Sequence, residues 1–266
     1  MRGALALIRA SWQSALTYRI RLLISLASLL ISVLPIYFIA NALQDTMAES
    51  IAGQGSHYFA FLVVGTATFL LVPSAVNSLA GAVGSGISTG GFETLLGTRT
   101  PLPAVLAGMV GYGLLWTVLR ALVLMVGAWV LGAAILWSQL GSAILIMGLI
   151  ILAYVPFGLI GAALVISFRT AGPLPQAVLG VSALLGGVYY PTQVIPSWIE
   201  SISAFVPLTY GLRALRGTLL EGSSLAAVLP ELGMLALFIM ILMSIGWLAL
   251  GASLHHARRA GTLSHY

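Results

Sequence analysis

Few residues of this chain could do covalent chemistry. Gly86-Ile87-Ser88-Thr89-Gly90 satisfies the G-x-S-x-G nucleophile pattern, and His255 and His256 could supply a base. That pattern has chemical meaning only on a strand-to-helix turn, where the serine is strained and exposed. No strand pattern precedes it, and nothing in the sequence brings either histidine to Ser88. An intramembrane aspartyl protease needs paired aspartates, whereas Asp45 is the sole aspartate of the chain. Cysteine is absent, which removes thiolate nucleophiles, thiolate metal sites and disulfides. Lysine is absent too, all eleven basic residues being arginine. A Walker A loop uses its lysine to reach nucleotide phosphates, so no standard ATP site can form here. The expected inventory is no catalytic residue and no metal ligand.

The elements that would position any site are dictated by composition. Of 266 residues, 60% are hydrophobic and 6% charged, far beyond what a soluble core of this length requires. The chain reads as an all-α membrane protein and as one transmembrane domain over 1–266. About 20 apolar residues cross the hydrocarbon, and six segments qualify: 22–43, 58–80, 104–136, 141–166, 174–190 and 232–254. Trp137-Ser138-Gln139 divides an uncharged run too long for one span. Ahead of the first span, residues 1–21 place Leu5, Ile8, Trp12 and Leu16 on one helical face, with Arg2, Arg9 and Gln13 toward the other. That pattern predicts an amphipathic helix in the inner interface.

Arginine bias sets the orientation. With both termini cytoplasmic, the inner side holds eight arginines (2, 9, 19, 21, 99, 169, 258 and 259) against Glu93. The outer side holds Arg213 and Arg216 against Asp45, Glu49, Glu200, Glu221 and Glu231. Arg120 falls within the third span, where an ionisable group is either functional or an anchor snorkelling to the inner headgroups.

The stretch after the fifth span departs from ordinary helix chemistry. Gly186-Gly187-Val188-Tyr189-Tyr190-Pro191 leads into Pro196-Ser197-Trp198-Ile199-Glu200 and then Pro207-Leu208-Thr209-Tyr210-Gly211-Leu212-Arg213. Proline neither donates a backbone hydrogen bond nor continues a helix, so the backbone must break near membrane depth. Broken backbone is tolerated there only where protein or a water-filled cavity satisfies it. A re-entrant outer hairpin over 191–222 is expected, with Tyr189, Tyr190, Trp198 and Tyr210 at the interface. Arg213 and Arg216, three apart on one helical face, would form salt bridges with Glu200, Glu221 or Glu231, or would grip a cargo headgroup.

This stretch closely resembles the last third of ABC-2 type transporter permeases. The loop 87–100 is similar to the same family's coupling helix, commonly G-T-L-E-x-L-L-x-T-P. Gly90, Glu93, Leu95, Leu96 and Thr98 match it, Phe92 replaces a leucine, and Arg99 precedes Thr100 and Pro101. The resemblance implies the six-span transmembrane subunit of an ATP-driven exporter in the bacterial or archaeal cell membrane. It implies a second permease chain and two copies of a separate ABC ATPase, which would carry ATP and magnesium; no cofactor is expected in this chain. Membrane lipid is the remaining partner, and nucleic acid is not one. The outer hairpin residues Tyr189, Tyr190, Pro191, Pro196, Trp198, Pro207, Tyr210, Arg213 and Arg216 would act as its gate. Cargo is expected to be amphiphilic or hydrophobic, such as a lipid, a lipid-linked glycan or a drug, because the spans lack carboxylates. The alternative is a stand-alone channel or secondary transporter, which would normally place polar rings or charges within the spans.

Overall fold

A computed structural model of the chain describes residues 19–91 and 101–260. The expected amphipathic helix lies almost wholly outside the described residues, as do Phe92, Glu93, Leu95, Leu96, Thr98 and Arg99. The described residues form helices joined by turns, with no strand among them. In chain order these are α1 (Arg19–Ile31), α2 (Val33–Met47), α3 (Tyr58–Phe69), α4 (Leu71–Ser88), α5 (Leu102–Val130), α6 (Leu140–Phe168), α7 (Leu174–Leu185), α8 (Ser197–Ser203), α9 (Pro207–Leu220) and α10 (Leu229–Ala260).

Two long helical rods are interrupted where proline predicts it. Pro35 and Pro73 lack the N–H that the carbonyls of Ile31 and Phe69 would otherwise receive. Helix α1 ends at Ile31 and α3 ends at Phe69. Taken through the interruption, Leu22–Met47 and Tyr58–Ser88 are each long and apolar enough to cross a membrane. Pro156 sits inside α6 without ending it.

Among the described residues, five helical rods reach spanning length: these two, Leu102–Val130, Trp137–Phe168 and Leu229–Ala257. The sixth expected span, 174–190, does not form as one helix. Helix α7 stops at Leu185 after 12 residues, about 18 Å of rise against the roughly 30 Å of hydrocarbon. Gly187 then adopts φ 78, the left-handed geometry that terminates helices. The third span is also shorter than expected, ending at Val130 rather than 136, with Gly132 at φ 95 turning the chain. Trp137–Gln139, the expected divider, forms a 3-10 turn that leads directly into α6 and belongs to the fourth rod.

Helix α6 is the hub, packing along α10, α4 and α9. It approaches the α4 backbone closely at Gly158, where a Cβ would stand 2.7 Å from the Ala75 carbonyl oxygen. The buried side chains fall into a larger cluster toward the α3 start and α9, and a smaller one around Leu79, Val83, Leu159, Ile166 and Leu254. Large apolar side chains stay exposed on α1, α2 and α10, among them Leu23, Phe38, Met240 and Leu248. Acyl chains are as apolar as these side chains, so a bilayer leaves no hydrophobic penalty on them.

The α4–α6 contact yields a stability prediction. Gly158→Ala pushes a methyl against backbone that cannot yield, and it is expected to cost about 1–3 kcal/mol. Gly148→Ala, on the same helix with nothing within 4 Å of a new Cβ, is expected to be neutral or to stabilise by up to about 1 kcal/mol. Thermal unfolding of the purified protein in detergent compares them; equal melting temperatures would contradict this packing.

Candidate functional site

After α7 the chain runs without helix through Gly186–Pro191, makes a 3-10 turn at Thr192–Val194, and enters α8 and α9. The three prolines expected to break this stretch each open a helical turn. Pro191 and Pro196 hold extended backbone, φ −64 and φ −50, immediately before the 3-10 turn and α8. Pro207 is the first residue of α9, where its missing N–H would be unbonded in any case. Helix α9 is buried on most of its surface against α6, α10 and α3.

Arg216 lies near the end of α9 and is 1% exposed. Its Nη1 donates to the Gly187 carbonyl at 2.8 Å and to Gln54 Oε1 at 3.5 Å. Its Nη2 donates to the Val188 carbonyl at 3.0 Å and to the Phe61 carbonyl at 3.2 Å. The guanidinium carbon stands 3.4 Å from the centroid of the Phe61 ring, a cation–π contact strengthened by exclusion of water. Of the five N–H donors of an arginine, only that on Nε is buried without a partner. One side chain thus joins α9, the non-helical 187–188 backbone, the α3 helix and the 48–57 loop.

Gly65 makes room for this clamp. A Cβ there would overlap the Val188 carbonyl oxygen and stand 2.7 Å from Arg216 Nη2. Tyr58 adds a second tie, its hydroxyl donating to the Tyr189 carbonyl at 2.9 Å. The carbonyls of 187, 188 and 189, left without helical partners, are therefore all satisfied by side chains.

The salt bridges expected for Arg213 and Arg216 are not what holds them. Every hydrogen-bond partner of Arg216 is uncharged, and Arg213 Nη2 donates to Thr192 Oγ1 at 2.8 Å. Arg213, Glu221 and Glu231 instead line one cavity of about 280 Å³ with Gln54, Gln193 and Ser223. A second cavity of about 210 Å³ lies beside Pro207, lined by Tyr154, Phe157, Val181 and Phe205, with the Tyr154 and Ser182 hydroxyls 2.7 Å apart in its wall.

The other sequence candidates separate. Tyr189 and Trp198 are exposed, as is Phe205, which sequence reasoning passed over. Tyr190 and Tyr210 donate their hydroxyls to the Leu184 and Ala204 carbonyls. Arg120 is half-buried, with Nε enclosed and unpartnered. It stands 18 residues from the α5 start and 10 from its end, about 27 Å and 15 Å of rise. Gly86 and Ser88 belong to helix α4 rather than to a loop, and Ser88 Oγ donates to the Ser85 carbonyl at 2.9 Å. The nucleophile-elbow geometry is accordingly absent. Gly90 follows the helix at φ 68. Among the described residues no group of three or more histidines or acids could hold a metal.

The model of the ABC-2 type transporter family matches residues 4–220. The chain belongs to the ABC-2 type transporter family. Most of the described site lies inside that match, including α9 and Arg216. A search of curated proteins returns no match. Membership makes this ABC-2 chain the membrane-embedded permease subunit of an ABC-type transporter, a multi-pass protein that is not itself an enzyme. The family works with an ABC ATPase.

The clamp makes a graded prediction. Arg216→Gln removes charge-assisted hydrogen bonds and strands buried carbonyls, at an expected cost of about 3 kcal/mol or more. Arg213→Gln, losing one such bond at a half-buried position, is expected to cost about 1 kcal/mol. Melting temperatures in detergent decide the order; equal losses would show that the two arginines are equivalent.

Proposed function

We propose that this chain is the permease half of an ATP-driven exporter of amphiphilic or hydrophobic cargo, working as a pair of permease chains above two separate ATPase subunits. The observation that carries the proposal is the family match over residues 4–220 in a chain without a single lysine. The first fact makes it a transporter's membrane subunit, and the second supports nucleotide chemistry on a partner that binds ATP and magnesium.

The mechanism follows from where rigid and broken backbone sit. Nucleotide binding draws the ATPases together, and the coupling segment at Gly90–Arg99 receives the push. Gly90 sits at the end of the rod Tyr58–Ser88, and the other end of that rod carries Phe61 and Gly65 in the Arg216 clamp. A displacement at one end of that rod thus reaches the 186–222 segment, which acts as a re-entrant outer hairpin and gate. The sixth crossing is completed by α7 together with the non-helical 186–190 stretch. The apolar cavity beside Pro207, with the exposed Phe205 at its edge, supports a hydrophobic or amphiphilic cargo.

The test begins with the chain alone in lipid vesicles, which should turn over no ATP above background. Addition of its ATPase should restore hydrolysis and cargo movement. On the docking loop, Phe92→Ala with Leu95→Ala is expected to release the ATPase in pull-downs, each buried apolar side chain contributing about 1.5–3 kcal/mol. Glu93→Ala should weaken it by about 1 kcal/mol or less. Robust turnover by the isolated chain would overturn the division of labour, and release by Glu93→Ala alone would overturn the apolar docking.

A further inference from the structure

The cavity lined by Arg213, Glu221 and Glu231 has an unusual charge arrangement. A cation and two carboxylates line one space without forming an ion pair, Arg213 bonding Thr192 instead. Arg213 Nε is enclosed with no partner. Opposite charges held apart around a concavity are complementary to a dipolar ligand, which meets each with its opposite. Gln54, Gln193 and Ser223 line the remainder and offer hydrogen bonds of either sense. The simplest structural role, Glu231 favouring the α10 N-terminus, leaves Glu221 and the enclosed Arg213 Nε unexplained.

We infer that this cavity binds a small zwitterion whose primary ammonium meets Glu221 and Glu231 while its phosphate or carboxylate meets Arg213. Size permits it: the cavity of about 280 Å³ has room for a phosphoethanolamine group with water beside it. The lining excludes the quaternary analogue. A trimethylammonium has no N–H to donate and is recognised by aromatic cages, whereas no aromatic side chain lines this cavity. The same chemistry is presented by an ethanolamine lipid headgroup and by a free solute. The site does not depend on the ATPase, so failure of export would leave it standing.

Calorimetric titration of the purified chain, in detergent free of ethanolamine lipid, tests the inference with phosphoethanolamine and phosphocholine as probes. Saturable binding of phosphoethanolamine is expected, with phosphocholine weaker by about tenfold or more, because charge-assisted hydrogen bonds are lost. Glu221→Gln with Glu231→Gln, and separately Arg213→Gln, should each weaken phosphoethanolamine by at least about tenfold. Repeating the titration in nanodiscs assigns the source. Weakened binding of the soluble probe when ethanolamine lipid replaces choline lipid points to a headgroup, and unchanged binding points to a free solute. Equal affinity for both probes on the native chain would overturn the inference even if a variant fails to fold, as would undiminished binding by folded variants or no saturable binding at all.

Discussion

A buried guanidinium with only uncharged partners holds the non-helical part of this bundle together. Taking a charge out of water is costly unless nearly every donor is satisfied, and Arg216 meets that condition with backbone carbonyls instead of a carboxylate. The carbonyls in turn exist because Gly187 ends α7 early and leaves 187 and 188 without helical donors. Each defect answers the other: broken backbone supplies acceptors, and the arginine supplies donors. Among apolar helices that can slide on lipid, this contact brings several directional bonds to one side chain.

Much else in the fold is arranged to permit it. Gly65 lacks the Cβ that would exclude Val188, and Gly211 lets α9 lie on α6, where a Cβ would come within 2.5 Å of Ile150. Helix α9 then carries Arg216 on its inward side and Arg213 at the cavity, so one short helix serves both the clamp and the charged pocket. Leu136 N–H, donating to the Leu219 carbonyl at 2.9 Å, fixes the far end of α9 to the turn before α6. The long rods provide the frame, and the Arg216 clamp ties the non-helical segment to it.

The sequence made the helical class, the family resemblance and the irregularity of 186–222 legible, because apolar run length and the Gly-Gly and proline signals act locally. The breaks at Ile31 and Phe69, four residues ahead of Pro35 and Pro73, depart from the continuous spans expected over 22–43 and 58–80. The sequence did not reveal that α7 is too short to span, since Val188, Tyr189 and Tyr190 are as apolar as a continuing helix would be. The partner of Arg216 was misread for a deeper reason. Charge counting points to glutamates, whereas a backbone carbonyl has no letter in the sequence, and Phe61 lies 155 positions away. The coupling residues from Phe92 to Arg99 lie outside the described residues, so their role stands on the resemblance.

The native chain has no cysteine, so a pair introduced at Ala52 and Val194, both exposed, can carry the only two spin labels. Pulsed electron spin resonance between them reads the distance from the 48–57 loop to the 186–222 segment. If Arg216 fastens the two, the native background gives one narrow distribution, Arg213→Gln keeps it narrow, and Arg216→Gln broadens it. A distribution that stays narrow in Arg216→Gln would contradict the claim that this guanidinium holds the segment in place.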